Sequence, residues 1–426
     1  MKPSRLPVLI LLCLAMACQD EPPSASGPLR QEGYIWQRSW SPAVREAVRQ
    51  ASDFSSLTVL AAEVDLQTGK PRVIRVPLDA EALKGYGKPV GAALRITTFP
   101  LRFADERDVV QRLQALVRDV KAEAQAKGIA LSEIQIDYDS PESKLGDYRS
   151  LLPSLRSVAS PVPLTFTALP TWLRQHRAFR RLIAEADGYV LQVHSLKPPQ
   201  EDFGQGDILL TRLGPARYAV TEAARYGLPF RVALPTYSYQ AAFDSQRNPI
   251  GLLAEGPLVS FGPGVVVRNA RSDPAILAEL IRGWTRERPA AMTGIVWYRL
   301  PVEGDRRNWT WPTLRAVMAG RTPTGEVSFA IRTPEPGLVE IDLVNAGEAE
   351  VLWPASIRVR WGANSFLAAD GLAGYRLRKE GARALSLERP GAAPKASLRP
   401  GERRVVAWLR FSAPTEVQIE PPRQAG

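Results

Sequence analysis

Between about residues 33 and 320, short runs of β-branched and apolar residues alternate with longer segments in which apolar residues recur at helical spacing. The first pattern is typical of buried strands and the second of amphipathic helices. Their alternation favours parallel strands in one sheet, with the helices packed on its face. The pattern predicts eight strands, at Tyr34–Arg38, Leu57–Val64, Ala92–Phe99, Glu133–Asp139, Leu164–Ala168, Gly188–His194, Phe230–Leu234 and Gly294–Leu300.

The helical pattern is clearest between residues 105 and 127, where Val109, Leu113 and Val120 belong to one apolar stripe. Similar segments are predicted at Pro42–Gln50, Leu145–Val158, Thr171–Glu185, Pro215–Tyr226 and Pro274–Arg286. Eight strands with intervening helices predict an α/β fold of the (β/α)8 TIM-type barrel class. A doubly wound sheet is the alternative, but the glycine-rich phosphate loop of that fold does not follow the first strand.

Two segments depart from the barrel pattern. Gln240–Asn269 is rich in glycine and contains a β-rich run, Val265–Arg268, which predicts a long loop with a hairpin after the seventh strand. After Gly320 the helical period disappears, and short alternating runs separated by turn residues predict an all-β sandwich. The predicted organisation is a barrel at 31–321 followed by a β-sandwich accessory domain at 322–426.

Two acidic residues lie on one face of the fourth predicted strand. Successive side chains of a strand point to opposite faces, so Asp137 and Asp139 lie opposite Ile136 and Tyr138. Buried carboxylates cost several kcal/mol each unless they are paired or hydrogen-bonded. The chain therefore keeps this pair either to stabilise a buried network or to carry out chemistry.

Other strand ends add polar and aromatic side chains, and catalytic residues of such barrels come from several strand ends. Glu63 ends the second strand and is a further candidate carboxylate. Paired carboxylates act on glycosidic bonds by acid/base chemistry, and sugar rings stack on aromatic side chains. These patterns predict a sugar-binding site formed by Trp36, Arg95, Gln192, His194, Tyr237, Trp297 and Arg299.

Each of these residues also has a purely structural interpretation. Arg95, Arg231 and Arg299 could neutralise the two aspartates in a salt-bridge core, the aromatic rings could fill the core, and His194 could be an ordinary core histidine. The chain has only two histidines, so no His-based metal site is expected. No cofactor is predicted, and no serine in a glycine-flanked elbow suggests acyl transfer.

The stretch from 134 to 172 resembles a bacterial family known as domain of unknown function 3142. The resemblance rests on Ile134–Asp139, on the apolar residues and Tyr148 of the following helix, and on Leu164–Trp172. It implies a glycosidase-like barrel that extends beyond this stretch, without an established activity.

The fourth strand is also distantly similar to the motif of family 18 glycoside hydrolases. That motif ends Asp-x-Asp-x-Glu, with the Glu as general acid and the preceding Asp assisting it. Asp137 and Asp139 match its aspartates, but Pro141 occupies the Glu position and Glu142 lies one residue late. This departure leaves the identity of the acid open among Asp139, Glu142 and Glu63.

Residues 1–18 predict a secretory signal peptide, with two basic residues, a short apolar run and small residues before Cys18. The ending Leu14–Cys18 resembles a bacterial lipobox, which implies that Cys18 is lipidated and becomes the mature N-terminus. Cys13 leaves with the signal, so Cys18 would be the only cysteine. Residues 19–30 are predicted as a flexible tether.

The net charge of +11 suggests affinity for acidic surfaces or polyanionic glycans, and no nucleic-acid recognition motif is present. We expect an exported protein anchored by lipid in the bacterial envelope, at the outer membrane or periplasmic face. Its barrel is expected to bind or hydrolyse a polysaccharide by carboxylate acid/base chemistry. The alternative is a non-catalytic envelope lipoprotein that binds a glycan or a partner. The sugar, the linkage and the oligomeric state stay open.

Overall fold

The chain folds into a barrel followed by further β-sheets, as shown by a computed structural model. It describes residues 23–66, 71–97, 99, 102–194, 207–253, 262, 264–362, 364–390 and 396–420. The predicted signal peptide at 1–18 and the lipidated Cys18 lie outside the described residues. In the described ranges, no helix combines the length and the apolar character needed to cross a bilayer.

Eight parallel strands form a closed barrel, since β1 pairs with both β2 and β8. In chain order the barrel strands are β1 (Arg30–Ile35), β2 (Ser56–Asp65), β3 (Val90–Ile96), β4 (Leu131–Tyr138), β5 (Leu164–Ala168), β6 (Gly188–Gln192), β7 (Phe230–Pro235) and β8 (Met292–Tyr298). A short strand, Arg72–Arg75, pairs antiparallel with the last four residues of β2. The predicted (β/α)8 fold class is confirmed.

Each barrel strand is followed by a helix. The helices are α1 (Pro42–Gln50), α2 (Ala80–Tyr86), α3 (Arg107–Ala126), α4 (Leu145–Ala159), α5 (His176–Ile183), α6 (Leu213–Ala224), α7 (Pro274–Arg286) and α8 (Trp311–Met318). Side chains of Ser41, Asp79 and Asp273 cap α1, α2 and α7 by accepting a backbone N–H. The sequence pattern did not predict α2 and α8, because about two turns of helix are too short to show a clear apolar period.

The largest hydrophobic core lies between the strands and the helices. Ile136 and Tyr138 of β4 are fully buried in it, and so is Val120 of the α3 stripe. A smaller apolar layer, which includes Leu60 and Val190, fills the middle of the barrel interior. The apolar face of each strand therefore packs on the helices, and polar side chains occupy the interior at both ends of the barrel.

At the end of the barrel where the strands begin, Arg231 lies between two glutamates. Its guanidinium is 2.6 Å from Oε2 of Glu32 and 2.6 Å from Oε2 of Glu133. Burial raises the pKa of Glu133, but the charge and hydrogen bonds of Arg231, with those of Thr165 and Thr58, outweigh burial and hold that pKa below its ordinary value. The interpretation of Arg231 as a counter-ion of Asp137 and Asp139 is therefore wrong.

A small antiparallel sheet lies between β7 and α7, in place of a simple loop with a hairpin. Ser238–Phe243 pairs with both Pro249–Leu253 and Val266–Arg271, and Ile208–Leu209 joins in parallel with the last of these. Tyr239, Ala241 and Ala270 are buried in a hydrophobic cluster of this sheet. It follows β7, so it stands at the end of the barrel where the strands finish.

Eight of the C-terminal strands form two four-stranded sheets that share one core, and two short strands, Val351–Leu352 and Ser397–Leu398, pair with each other, so the predicted β-sandwich is confirmed. The strands are β9 (Val327–Glu335), β10 (Leu338–Asn345), β11 (Val351–Leu352), β12 (Ser356–Trp361), β13 (Phe366–Gly371), β14 (Arg376–Lys379), β15 (Ala384–Glu388), β16 (Ser397–Leu398), β17 (Arg403–Phe411) and β18 (Val417–Glu420). One sheet has the order β9-β10-β17-β13 and the other β14-β15-β12-β18. Ile341 and Leu409 from the first meet Val359 and Leu387 from the second in this core.

Residues 23–30 are bound to the beginning of the barrel. Ser24–Ala25 pairs antiparallel with Arg288–Pro289, and the amide of Gly27 donates to the carbonyl oxygen of Thr285 at 2.8 Å. Leu29 is buried in the main core. The prediction of a flexible tether over 19–30 is therefore wrong for residues 23–30, because backbone pairing with a distant segment leaves no signature in composition.

Candidate active site

A cavity of about 60 Å³ lies inside the barrel at the end where the strands finish. Seven of the eight barrel strands, or the residues directly after them, supply its walls. It is lined by Tyr34, Trp36, Arg95, Asp137, Asp139, Thr167, Gln192, His194, Ala233 and Tyr298. Six of the predicted site residues therefore meet in one place: Trp36, Arg95, Asp137, Asp139, Gln192 and His194.

Asp137 is held firmly in this cavity. One of its carboxylate oxygens accepts hydrogen bonds from Thr167 Oγ1 at 2.8 Å and from Gln192 Nε2 at 3.3 Å. Burial raises the pKa of Asp137 above its ordinary value, and the positive charge of Arg95 and these two hydrogen bonds offset the rise only in part. The neighbours on β5 and β6 thus fix the orientation of this carboxylate and favour its charged form.

Asp139 lies in the same cavity with weaker support for its charge. Its Oδ1 is buried and has no hydrogen-bond partner in the described part of the chain. Burial raises the pKa of Asp139 to about 7, the negative charge of Asp137 adds to the rise, and Arg95 opposes it. Two neighbouring carboxyl groups of this kind titrate as a pair, and hydrogen bonds stabilise the charged form of Asp137 but leave Asp139 Oδ1 without support in the described part of the chain.

Three aromatic rings form one wall of the cavity. The ring centroid of Trp36 lies 5.3 Å from that of Tyr34 and 5.1 Å from that of Tyr298, and both pairs meet edge to face. The hydroxyl of Tyr34 donates to Gln135 Oε1, and Gln135 Nε2 donates to Thr165 Oγ1 at 3.4 Å. This chain of hydrogen bonds ties the aromatic wall to the polar network at the other end of the barrel.

His194 stands between two tyrosines. Its ring is nearly parallel to that of Tyr298, with centroids 6.2 Å apart, and it meets Tyr237 edge to face at 6.3 Å. Burial lowers the pKa of His194 to about 4, so the imidazole is neutral at physiological pH. A neutral imidazole carries one N–H donor and one acceptor, which suits it to orient a ligand hydroxyl rather than to supply charge.

Four buried polar atoms around the cavity have no hydrogen-bond partner in the described part of the chain. They are Trp36 Nε1, Asp139 Oδ1, His194 Nδ1 and the hydroxyl of Tyr237. Buried polar groups in folded proteins are nearly always paired, because an unpaired one costs about 1–3 kcal/mol. Such a cluster at one cavity is therefore the arrangement expected of a site that completes its hydrogen bonds with a polar ligand.

Two predicted carboxylates do not line the cavity. Glu63 is bound by Arg38, whose Nε is 2.6 Å from Oε2, and Arg95 approaches it at 3.8 Å. Glu142 begins a short 3-10 turn after Pro141, and its Oε2 accepts from Gln175 at 3.2 Å. The turn places Glu142 near the start of α5. The chain therefore does not bend Glu142 into the cavity, and Glu142 does not replace the missing Glu of the family 18 motif.

The predicted interior residues of the eighth strand require a correction. Trp297 is buried between strands and helices, where its Nε1 donates to Gln31 Oε1 at 2.6 Å. Arg299 pairs with Asp305 at 2.6 Å and does not line the cavity. Tyr298 faces the cavity instead. The part of β8 before Tyr298 is apolar on both faces, so alternation alone could not show which face lies inside the barrel. A shift of one residue exchanges the interior and exterior faces.

Tyr34, Thr167 and Tyr298 belong to the site without having been predicted as site residues. Tyr34 lies two residues before Trp36 on the same strand face, and that spacing was the available signal. The role of Thr167 depends on the hydrogen bond to Asp137 across two strands, which no local pattern reveals. Among the residues that the structure describes, no three His, Cys, Asp or Glu side chains are grouped so that they could hold a metal ion.

A family model described as "Domain of unknown function (DUF3142)" matches residues 86–303, just over half of the chain. The chain belongs to this family. The matched segment of this DUF3142 protein includes β3 to β8, with Asp137 on β4 and Asp139 directly after it. A second model, "Domain of unknown function (DUF8456)", matches residues 330–412 in the sandwich. No curated protein matches the chain.

Several solved structures resemble this DUF3142 chain at low sequence identity. The spore cortex-lytic enzyme SleL of Bacillus megaterium has 13% identity and a TM-score of 0.47, covering 70% of this chain and 75% of that one. Chitinase ChiA74 of Bacillus thuringiensis has 8% identity and a TM-score of 0.44, covering 92% and 100%. A chitinase of Bacteroides thetaiotaomicron has 11% identity and a TM-score of 0.43, covering 64% and 90%.

Proposed function

We propose that the cavity binds a sugar unit of a polysaccharide and that Asp139 acts as the general acid in cleavage of the glycosidic bond. The observation that carries the proposal is the pair of carboxyl groups in one cavity, of which one has a pKa of about 7. A general acid is most effective when its pKa lies near the working pH. The unpaired Oδ1 of Asp139 is available for a leaving oxygen.

The two aspartates have different roles in this proposal. Asp139 donates its proton to the glycosidic oxygen while the bond from that oxygen to the anomeric carbon breaks. Asp137, held by Thr167 and Gln192, stays charged and stabilises the positive charge that develops on the sugar ring. Water then adds to the anomeric carbon and returns a proton to the aspartate pair, so the site is restored.

The remaining cavity residues suit a sugar ring. Trp36, Tyr34 and Tyr298 offer apolar ring surface for the C–H groups of a sugar, while Trp36 Nε1 and His194 Nδ1 can pair with its hydroxyls. Arg95 adds a positive charge beside the aspartates. A ligand with alternating C–H and hydroxyl surface satisfies both kinds of group at once.

A second candidate function is binding of the same ligand without cleavage. Pro141 takes the position at which the family 18 motif has its general acid, and Glu142 makes a hydrogen bond with Gln175 outside the cavity. If Asp139 cannot reach the glycosidic oxygen, the site is a glycan-binding cavity with no proton donor.

We also propose that the protein is anchored in the envelope through a lipid on Cys18. Four residues separate Cys18 from Pro23, whose carbonyl oxygen accepts from Ala290 at 2.6 Å beside the start of β8. At about 3.5 Å per residue this segment spans less than about 20 Å. The beginning of the barrel then faces the bilayer, and the cavity opens away from it.

The test is hydrolysis of a panel of soluble oligosaccharides built from N-acetylglucosamine, glucose, xylose or galacturonic acid. Asp139→Asn should lower turnover of the cleaved member by at least about a hundredfold, the usual contribution of a general acid, and leave binding intact. Glu142→Gln is the matched control and should change turnover less than about threefold.

Normal turnover by Asp139→Asn would show that another group is the acid. Tight binding of a panel member by the wild-type protein, with no product after prolonged incubation, would favour the non-catalytic alternative.

A further inference from the structure

A second, larger cleft lies between the barrel and the sandwich. It has a volume of about 630 Å³. The small sheet after β7, the loop after β8 and the sandwich all contribute to it. Its polar and aromatic lining includes Tyr237, Arg271, Arg306, Trp309, Glu350 and Arg399.

Tyr237 joins this cleft to the candidate active site. Its ring lies 5.5 Å from that of Tyr298 and 6.3 Å from that of His194, and both of these residues line the cavity. Tyr237 itself lines the cleft, and its buried hydroxyl has no partner in the described part of the chain. Tyr237 therefore lies between the two spaces, against two residues of the cavity and in the lining of the cleft, with a buried hydroxyl that a ligand can use.

The two walls of the cleft are fixed relative to each other. Arg399 of the sandwich donates to the carbonyl oxygens of Asp305 and Asn308 in the loop after β8. Thr313 of α8 donates to the carbonyl oxygen of Glu348, and Arg321 pairs with the Glu348 carboxylate at 2.6 Å. Because charged hydrogen bonds cross the boundary at several points, the cleft is part of the fold and not a loose gap between domains.

The chemistry of the lining favours a neutral, hydroxyl-rich ligand. Four arginines and three carboxylates line it, so its net charge is small. Arg271 pairs with Asp207 at 2.7 Å and Arg306 lies 3.8 Å from Glu402, while Arg307 donates to Gln240 and Arg399 to backbone carbonyl oxygens. A small net charge gives little attraction for a polyanion, while closely spaced donors and acceptors suit sugar hydroxyls. The half-buried Trp309 adds a ring surface on which a sugar can pack.

We propose that this cleft is a second binding subsite for the same polysaccharide, continuous with the cavity at Tyr237 and completed by the sandwich. The proposal rests on the proposed function of the cavity and extends it, because it makes affinity depend on the length of the sugar chain. Short oligosaccharides occupy the cavity, and longer ones reach past Tyr237 onto the sandwich wall.

The test is calorimetric binding in the Asp139→Asn background, with two-unit and six-unit oligosaccharides of N-acetylglucosamine and of glucose. Arg306→Ala combined with Glu350→Gln should raise the six-unit Kd about tenfold more than the two-unit Kd, as expected for the loss of a charged hydrogen bond to the longer chain. Arg410→Ala is the control, because Arg410 lies on the sandwich, pairs with Glu335 at 3.2 Å and does not line the cleft.

Equal changes for the two lengths, or none, in the cleft variant would overturn the second subsite and leave the assignment of Asp139 untouched. Failure of the wild-type protein and of the Asp139→Asn background to bind any member of the four-sugar panel, at either length, would overturn both proposals. A circular dichroism melt of the variants separates loss of binding from loss of folding.

Discussion

Asp137 and Asp139 face the same cavity two residues apart, but only Asp137 receives hydrogen bonds from Thr167 and Gln192. Asp139 keeps one buried carboxylate oxygen without a partner in the described part of the chain. In the proposed function, this difference makes Asp137 the anion and Asp139 the proton donor. The first of the following predictions depends on it.

Asp139→Asn should stabilise the protein at alkaline pH. The folded protein binds the Asp139 proton with a pKa of about 7, whereas an unfolded chain binds it near pH 3.9. The stability that wild type has below about pH 4 is therefore lost as the pH rises through 7, because the buried group must ionise. At pH 9 the variant should be more stable by about 1–4 kcal/mol in urea unfolding.

The matched control is Asp105→Asn, since Asp105 is an exposed aspartate 4.0 Å from Arg102. That substitution should change stability by less than about 0.5 kcal/mol at either pH. An Asp139→Asn variant that gains nothing between pH 5 and pH 9 would mean that Asp139 is already charged in the folded protein.

Trp36→Phe should weaken oligosaccharide binding without a comparable loss of stability. The indole N–H is buried without a partner in the described part of the chain, so its removal breaks no hydrogen bond of the free protein. A ligand that uses this donor should lose about 1–2 kcal/mol of binding free energy, measured by calorimetry. Trp40→Phe is the control, because its Nε1 donates to the carbonyl oxygen of Pro77 away from the cavity. A large drop in melting temperature for Trp36→Phe, with unchanged affinity, would assign the ring to packing alone.

Arg231→Met should destabilise the fold by about 3–5 kcal/mol in denaturant unfolding. The substitution leaves Glu32 and Glu133 as uncompensated charges inside the barrel. Arg410→Ala, which breaks only an exposed pair on the sandwich, should cost less than about 1 kcal/mol. Similar losses of stability for the two variants would show that the buried Glu32 and Glu133 do not depend on the positive charge of Arg231.

The anchored protein should present the beginning of the barrel to the membrane. With Cys13 removed and Cys18 lipidated, single cysteines at Arg30 and Arg102 can be labelled with a fluorophore without interference. Both side chains are well exposed, at 61% and 68%, the first at the start of β1 and the second in the loop after β3. Vesicles that carry a lipid-attached quencher should quench Arg30→Cys more strongly than Arg102→Cys.

The soluble Cys18→Ser form is the control for the labelling experiment and should show no quenching at either position. Stronger quenching at Arg102→Cys would place the cavity toward the bilayer and would reject the proposed orientation.

Alternation along a strand was informative where one face is clearly apolar. On β6, Leu191 and Val193 pack on the helices, and this places Gln192 and His194 at the cavity as predicted. On β8 both faces are apolar, and the same rule selected Trp297, which lies among the helices. The rule depends on contrast between the two faces, so it fails where a strand is buried on both.

The barrel, the sandwich and the shared face of Asp137 and Asp139 could be predicted from the chain alone, because they follow from the spacing of its apolar residues. The charge of each buried group could not be predicted in this way, because it depends on contacts between distant segments. Arg231 meets Glu32 and Glu133 across 199 and 98 residues, and Thr167 reaches Asp137 across 30. Burial and hydrogen-bond partners set a pKa, and both depend on which distant strands become neighbours when the barrel closes.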